Sequence, residues 1–207
     1  MTIKYFSPSW YYHGKLPKLQ REKIVRTFSD FIKDDNNFEN KNQWHCNILT
    51  SYDTDSKGER WDTFQECVYP CVKEFMDMMK PRHDLDIRMK GAWVNRYKKG
   101  HHQEIHEHTW TDVNMAMVYF YKSNNDESFK FHNNTFSNYA SSGLFDCFDI
   151  PNISKISPDV REGDVIMFPA HYYHMVSPNI TNEERITISA NFHITRAIPS
   201  WFGDDNQ

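Results

Sequence analysis

Apolar residues recur at helical spacing in two early stretches and at strand spacing through the remainder of the chain. Over residues 18–33, Leu19, Ile24, Val25, Phe28, Phe31 and Ile32 fall on one side of a helix. Pro17 stands just ahead as a first-turn residue. Over residues 61–79, Trp61, Phe64, Val68, Cys71, Val72, Phe75 and Met79 repeat the pattern. Pro70 inside that stretch predicts a bend or a split, and Pro81 predicts its end. From Ile87 onward the pattern shortens to β-branched and aromatic runs at 89–97, 103–108, 115–121, 128–131, 164–168, 171–176 and 186–194. Lys98-Lys99-Gly100, Asn124-Asn125-Asp126 and Glu162-Gly163-Asp164 supply turns between them. The stretch 133–152 is the least regular and reads as a long insertion.

Helices followed by a run of short strands predict an α+β chain: an all-β core with N-terminal helices packed on it. We expect a single domain over 1–207, with a helical scaffold at 1–86, the core at 87–196 and a tail at 197–207. Composition removes competing classes. The 24 basic and 28 acidic residues are well mixed, so no nucleic-acid footprint is visible. With 7 glycines there is neither a Walker A pattern nor a dinucleotide fingerprint. The longest apolar run, residues 115–121, is too short to span a bilayer, and the N-terminus lacks a signal-peptide core. These features predict a soluble cytoplasmic protein, in the host cytoplasm if phage-encoded. Four scattered cysteines (Cys46, Cys67, Cys71, Cys147) read as reduced, Cys67 and Cys71 as buried packing residues.

The chemistry lies in the histidines. Of 11 in the chain, seven fall between His101 and His174. His106 and His108, two residues apart on a strand, share a face. His174 can join them only if the fold brings a later strand back beside them. On a regular strand His102 and Glu104 would share that face too, and His102-x-Glu104 matches the spacing of a two-histidine, one-carboxylate iron site. Glu104 and Asp112 therefore both stay open as a third ligand in place of His108. No His-Glu-x-x-His is present, which disfavours a zincin. Arg185, on the last strand, offers a planar fork suited to a carboxylate, and Ser189 shares its face.

The segments Trp93-Val94-Asn95-Arg96-Tyr97, Gln103-Glu104-Ile105-His106-Glu107-His108 and Met117-Val118-Tyr119-Phe120 come in that order. Gly163-Asp164-Val165-Ile166-Met167-Phe168-Pro169, His174-Met175-Val176-Ser177-Pro178 and the run from Glu184 to Asn191 follow. Together they resemble the 2-oxoglutarate/Fe(II) oxygenases of bacteria and phages, relatives of the prolyl hydroxylases. The resemblance covers about half the chain. It implies a jelly-roll (double-stranded β-helix, cupin-like) core, with Fe(II) and 2-oxoglutarate as cofactors and O2 as co-substrate. Ascorbate would serve as an accessory reductant, and the expected activity is that of a hydroxylase. By the same resemblance His106 and His174 are iron ligands, and His108 occupies the usual acid position. Arg185 would hold the distal carboxylate of 2-oxoglutarate, with Tyr97 and Ser189 touching it. Phe120 stands where those hydroxylases carry a tyrosine.

Cupins share the barrel, and Gly100, His106, His108 and Asp112 match their first motif. Gly163, Pro169 and His174 match part of the second, which fails at His171 and Pro178. A cupin-type dioxygenase or isomerase without 2-oxoglutarate, and a jelly roll without enzymatic activity, are the alternatives.

Overall fold

The computed structural model describes residues 9–41, 43–53, 58–123, 127–147 and 153–197. Two amphipathic helices, α1 (Lys18–Lys33) and α2 (Glu59–Met79), pack on an antiparallel β core. The strands are β1 (Tyr12–Lys15), β2 (Leu49–Thr50), β3 (Leu85–Tyr97), β4 (Gln103–His106), β5 (Met115–Lys122), β6 (Phe129–His132), β7 (Lys155–Ile156), β8 (Asp164–Pro169), β9 (His174–Val176) and β10 (Arg185–Arg196). They form a six-stranded sheet in the order β1-β8-β5-β10-β3-β2 and a four-stranded sheet in the order β4-β9-β6-β7. This is the expected jelly-roll arrangement. No described helix is long and apolar enough to cross a membrane.

Strand alternation divides the core into two layers. On β5, Met115, Met117 and Tyr119 face the helices, while Ala116, Val118 and Phe120 face the barrel interior. On β8, Val165 and Met167 face outward to the helices, and Ile166 and Phe168 inward. The central strands thus read as unbroken buried runs because both faces are covered. On β10 the helix-side residues Ile186, Ile188, Ala190 and Phe192 are apolar. The alternate positions Arg185, Thr187 and Ser189 are buried and polar. A polar face turned into a barrel needs hydrogen-bond partners there.

The structure differs from the periodicity reading in instructive places. Helix α2 runs through Pro70 as one 21-residue helix. The cost of an interior helix proline, about 3 kcal/mol for the lost backbone bond and the ring clash together, is offset by the buried face of Trp61, Phe64, Val68, Cys71 and Phe75. Leu19, Val25 and Met79 are exposed, so each helix buries a narrower stripe than its apolar pattern suggested. The scaffold at 1–86 is not wholly helical: β1 and β2 add to opposite edges of the large sheet, and β3 begins at Leu85. Both edge strands are short and lack a hydrophobic run, which hid them. Within 133–152 lie two short helices, α3 (Phe136–Ser141) and α4 (Leu144–Cys147), and 148–152 lies outside the described residues. The same holds for the expected tail beyond Ala197.

Candidate metal centre

Strand β4 pairs with β9, with Gln103 opposite Val176 and His106 opposite His174. Three steps along β4 therefore match two along β9, and the register shifts between them. Such a bulge reverses which face a side chain takes. Gln103 and His106 consequently line the same pocket, whereas Glu104 is not among the converging groups. The expectation that His102, Glu104, His106 and His108 share a face fails for this reason. Glu104 instead reaches Cys46, whose thiol is pushed up to about 11 by burial and then by its hydrogen bond to Glu104. Asp112 is ion-paired with Lys90 on the surface. The His102 backbone N–H donates to Asn47 Oδ1.

His106, His108 and His174 present ligand atoms within 4.8 Å of one another. Their ring centroids lie 4.2 Å (His106–His174), 5.0 Å (His108–His174) and 5.2 Å (His106–His108) apart. Each ring is pinned through Nδ1. His106 meets the Glu104 carbonyl at 2.8 Å and His174 the Tyr172 carbonyl at 2.9 Å. Both carbonyls lie two residues upstream. Past the end of β4, His108 meets Asn191 Oδ1 at 2.7 Å. A carbonyl oxygen can only accept, so Nδ1 carries the proton and Nε2 keeps its lone pair for a metal. Three neutral imidazoles, fixed in one tautomer by outer oxygens, fit a first-row divalent ion such as Fe(II).

Burial holds these rings neutral. It lowers the pKa of His106, takes His108 from 6.5 to about 4, and puts His174 well below its ordinary range. The sign of the resulting pH dependence is clear. A histidine whose folded pKa is depressed leaves the unfolded chain holding more protons, so its stability contribution is complete above about 6.5 and lost as pH falls towards 4. For His108 the loss is at most about 3 kcal/mol. Urea unfolding of metal-free protein should show decreasing stability across that window, with a shallower decline in His108→Gln. An unchanged slope in that variant would show that His108 does not resist protonation. Iron loading should fall over the same window, because protons compete for the ligand nitrogens.

The histidines open onto a narrow pocket between the sheets. Its polar wall comes from paired positions on β3 and β10: Tyr97 opposite Arg185, Asn95 opposite Thr187, and Trp93 opposite Ser189. Arg185 is 1% exposed, donates from Nη2 to the Ser177 carbonyl at 2.9 Å, and lies with its guanidinium carbon 4.9 Å from the Tyr97 ring centroid. Tyr97 donates its hydroxyl to Gln103 Oε1 at 2.9 Å, and burial keeps the phenol protonated. Thr50 donates to Asn95 Oδ1 at 2.8 Å, and Asn95 Nδ2 donates to Ser189 at 3.2 Å. The apolar wall includes Val118, Phe120, Phe129 and Val176.

All six residues expected at the site, His106, His108, His174, Arg185, Tyr97 and Ser189, border this one pocket. Sequence reasoning missed Trp93, Asn95, Gln103 and Thr187 on its walls, and Asn191 behind His108. Alternation from Arg185 through Ser189 pointed to Thr187 and Asn191, and alternation from Tyr97 pointed to Asn95 and Trp93. Gln103 carried no such signal, because the bulge places it.

Residues 91–191 match the family described as "Putative 2OG-Fe(II) oxygenase". No curated protein matches the chain. Among solved structures, a Pseudomonas putida prolyl-4-hydroxylase aligns with TM-score 0.59 at 10% identity, covering 91% of this chain and 94% of that one. A Trichoplax adhaerens prolyl hydroxylase, in complex with a hypoxia inducible factor peptide fragment, aligns at 0.61 and 11%, covering 88% and 83%. The epimerase SnoN of nogalamycin biosynthesis, described as non-heme and alpha ketoglutarate dependent, aligns at 0.64 and 12%, covering 96% and 85%. At these identities the structures establish the fold, and the family match supplies the chemistry. The core at residues 91–191, just under half of the chain, thus matches the 2-oxoglutarate/Fe(II) oxygenases, a family that implies Fe(II), 2-oxoglutarate and O2.

Proposed function

We propose that the protein is a hydroxylase in which His106, His108 and His174 hold Fe(II) and Arg185 holds the distal carboxylate of 2-oxoglutarate. The observation that carries this reading is the convergence of three Nδ1-anchored imidazoles on a pocket that also contains a buried guanidinium. Fe(II) held by these residues would supply the redox chemistry that couples 2-oxoglutarate and O2 to hydroxylation of a substrate C–H bond, with succinate and CO2 as co-products.

The protein's own groups bind, orient and exclude water. The carbonyls of Glu104 and Tyr172 and the Asn191 amide fix the three rings, so little reorganisation accompanies metal loading. Arg185 meets carboxylate charge in a site where water competes poorly. Tyr97, a neutral phenol beside Arg185, and Ser189 border the same space and touch the co-substrate. Phe120 adds apolar wall and no hydrogen bond where the hydroxylases it resembles have a tyrosine. With His108 in the acid position, the ligand set carries no negative charge. A dianionic co-substrate therefore meets a more positive metal than a carboxylate-ligated site would present.

The fold does not choose the reaction, since SnoN, an epimerase, shares it. Hydroxylation is favoured by the family resemblance and the prolyl hydroxylase neighbours. We also read the chain as one functional unit, because strands from its first 86 residues complete both edges of the large sheet. Cytoplasmic location, ascorbate as accessory reductant, and a substrate that is neither membrane nor nucleic acid belong to the same reading.

Iron-loaded protein should release succinate slowly from 2-oxoglutarate in air without added substrate. His108→Asp decides what the ligand at 108 is for. A higher yield in the variant identifies an oxygenase whose centre histidine has weakened, and loss of iron identifies histidine as the required ligand. No succinate from either protein across a broad substrate panel would overturn the oxygenase assignment.

A further inference from the structure

One aromatic run connects the metal centre to solvent and is built only from oxidisable rings. The His108 imidazole stacks on Trp93 at 5.6 Å between centroids and 24° between planes. Trp93 meets Tyr52 edge-on at 4.9 Å, and Tyr52 meets Trp44 at 5.7 Å. Strand pairing places these rings. β2 runs antiparallel to β3 with Leu49 opposite Arg96 and Thr50 opposite Asn95, and continuing that register sets residue 52 against residue 93. The Ser51 N–H bonded to the Val94 carbonyl keeps the alignment past the end of β2. The run reaches solvent at Tyr52: Trp93 is 6% exposed, Tyr52 is 42% exposed, and Trp44 beyond it is half-buried.

The opposite side of the centre differs. His174 is surrounded by Phe129, Phe131 and Phe168, and among the described residues its ring contacts lead to the Tyr11 and Tyr172 rings through Phe131. Phenylalanine gives up an electron far less readily than tryptophan or tyrosine, so a one-electron route favours the Trp93 side. The Trp93 indole Nε1 is buried and has no acceptor among the described residues. Oxidised Trp93 therefore cannot easily shed its proton and stays a strong oxidant. Tyr52, open to water, can lose its phenol proton on oxidation, which makes it the resting point for the oxidising equivalent.

We propose that Trp93 and Tyr52 form a protective electron route that discharges the centre when it is oxidised with no substrate C–H bond in place. The proposal rests on iron being held by the three histidines. In each of two one-electron passes, an electron goes from Tyr52 through Trp93 to the oxidised centre, which takes up a proton from water, and the two passes return the iron to Fe(II). The Tyr52 O–H bond breaks, its proton goes to water, and a neutral tyrosyl radical remains. A soluble enediol or thiol then returns a hydrogen atom to that radical and restores the phenol. Without Tyr52 the equivalent stays on Trp93, whose ring is attacked by oxygen or water.

The test uses hydrogen peroxide as oxidant on anaerobic Fe(II)-loaded protein without 2-oxoglutarate, so it does not depend on turnover. Freeze-quenched wild type should give a tyrosyl electron-spin signal and little oxygen addition at Trp93 by peptide mass spectrometry. Tyr52→Phe, which keeps the ring packing, should lose the signal and gain Trp93 oxidation several-fold. Tyr52→Trp should restore protection of Trp93. A radical that survives unchanged in Tyr52→Phe, or equal Trp93 oxidation in all three proteins, would overturn the route. Succinate assays on the same samples separate the two claims: wild type without succinate defeats the proposed function, and the peroxide outcome still decides the route. Protein that retains no iron defeats both.

Discussion

His174→Ala should abolish stoichiometric Fe(II) binding, measured on anaerobic protein after removal of loosely held metal. The imidazole is 2% exposed, with Nδ1 spent on the Tyr172 carbonyl and its ring stacked on Phe129. Loss of an outer hydrogen-bonding partner commonly costs about 10–100-fold in metal affinity, and loss of a ligand atom should cost more. The substitution also leaves a cavity among Phe129, Phe131 and Phe168, so some destabilisation is expected independently of metal. His174→Gln, with more of the volume retained, controls for that effect and should lose iron as well. Full occupancy in a folded His174 variant would defeat the three-histidine centre. If His108→Ala alone kept full occupancy, the third ligand would be a group other than His108.

Much of this site was legible before any coordinates because its chemistry follows strand parity. His106 and His108 share a face by spacing, and Arg185 and Ser189 do the same. The helices α1 and α2 were visible through their apolar repeats for the same reason. What escaped notice depended on long-range pairing. The β4 bulge removes Glu104 from the cluster and brings in Gln103, and a bulge is set by the partner strand rather than by the residues in it. Alternation puts Asn191 on the inner face of β10, but its pairing with His108 spans 83 positions of sequence, which local pattern does not reveal. The edge strands β1 and β2 are four and two residues long, too short for alternation to register. Pro70 misled because local backbone cost was weighed without the burial that offsets it.

Charge explains why the remaining large effect should be at Arg185. The three imidazoles are neutral, so a 2-oxoglutarate dianion relies on the metal at one end and on Arg185 at the other. Charge-assisted hydrogen bonds are worth about 1.5–3 kcal/mol each, and about 1.4 kcal/mol is tenfold in affinity. Arg185→Ala should therefore weaken 2-oxoglutarate binding at least about tenfold by calorimetry on anaerobic iron-loaded protein. Because Arg185 also bonds the Ser177 carbonyl and packs on Tyr97, truncation will destabilise the fold too. Arg185→Gln keeps the side chain out to Cδ and a polar end without the charge, and should show the same loss of affinity with a smaller fall in melting temperature than Arg185→Ala. Arg185→Lys should recover only part of the affinity, since a point charge cannot reproduce the planar fork. Iron occupancy should stay unchanged in all three variants, which separates co-substrate binding from metal loading. If Arg185→Gln bound 2-oxoglutarate as tightly as wild type, the distal carboxylate would lie elsewhere in the pocket. If iron-loaded wild type gave no calorimetric response at all, a cupin-type reaction without 2-oxoglutarate would be the better reading of the same barrel.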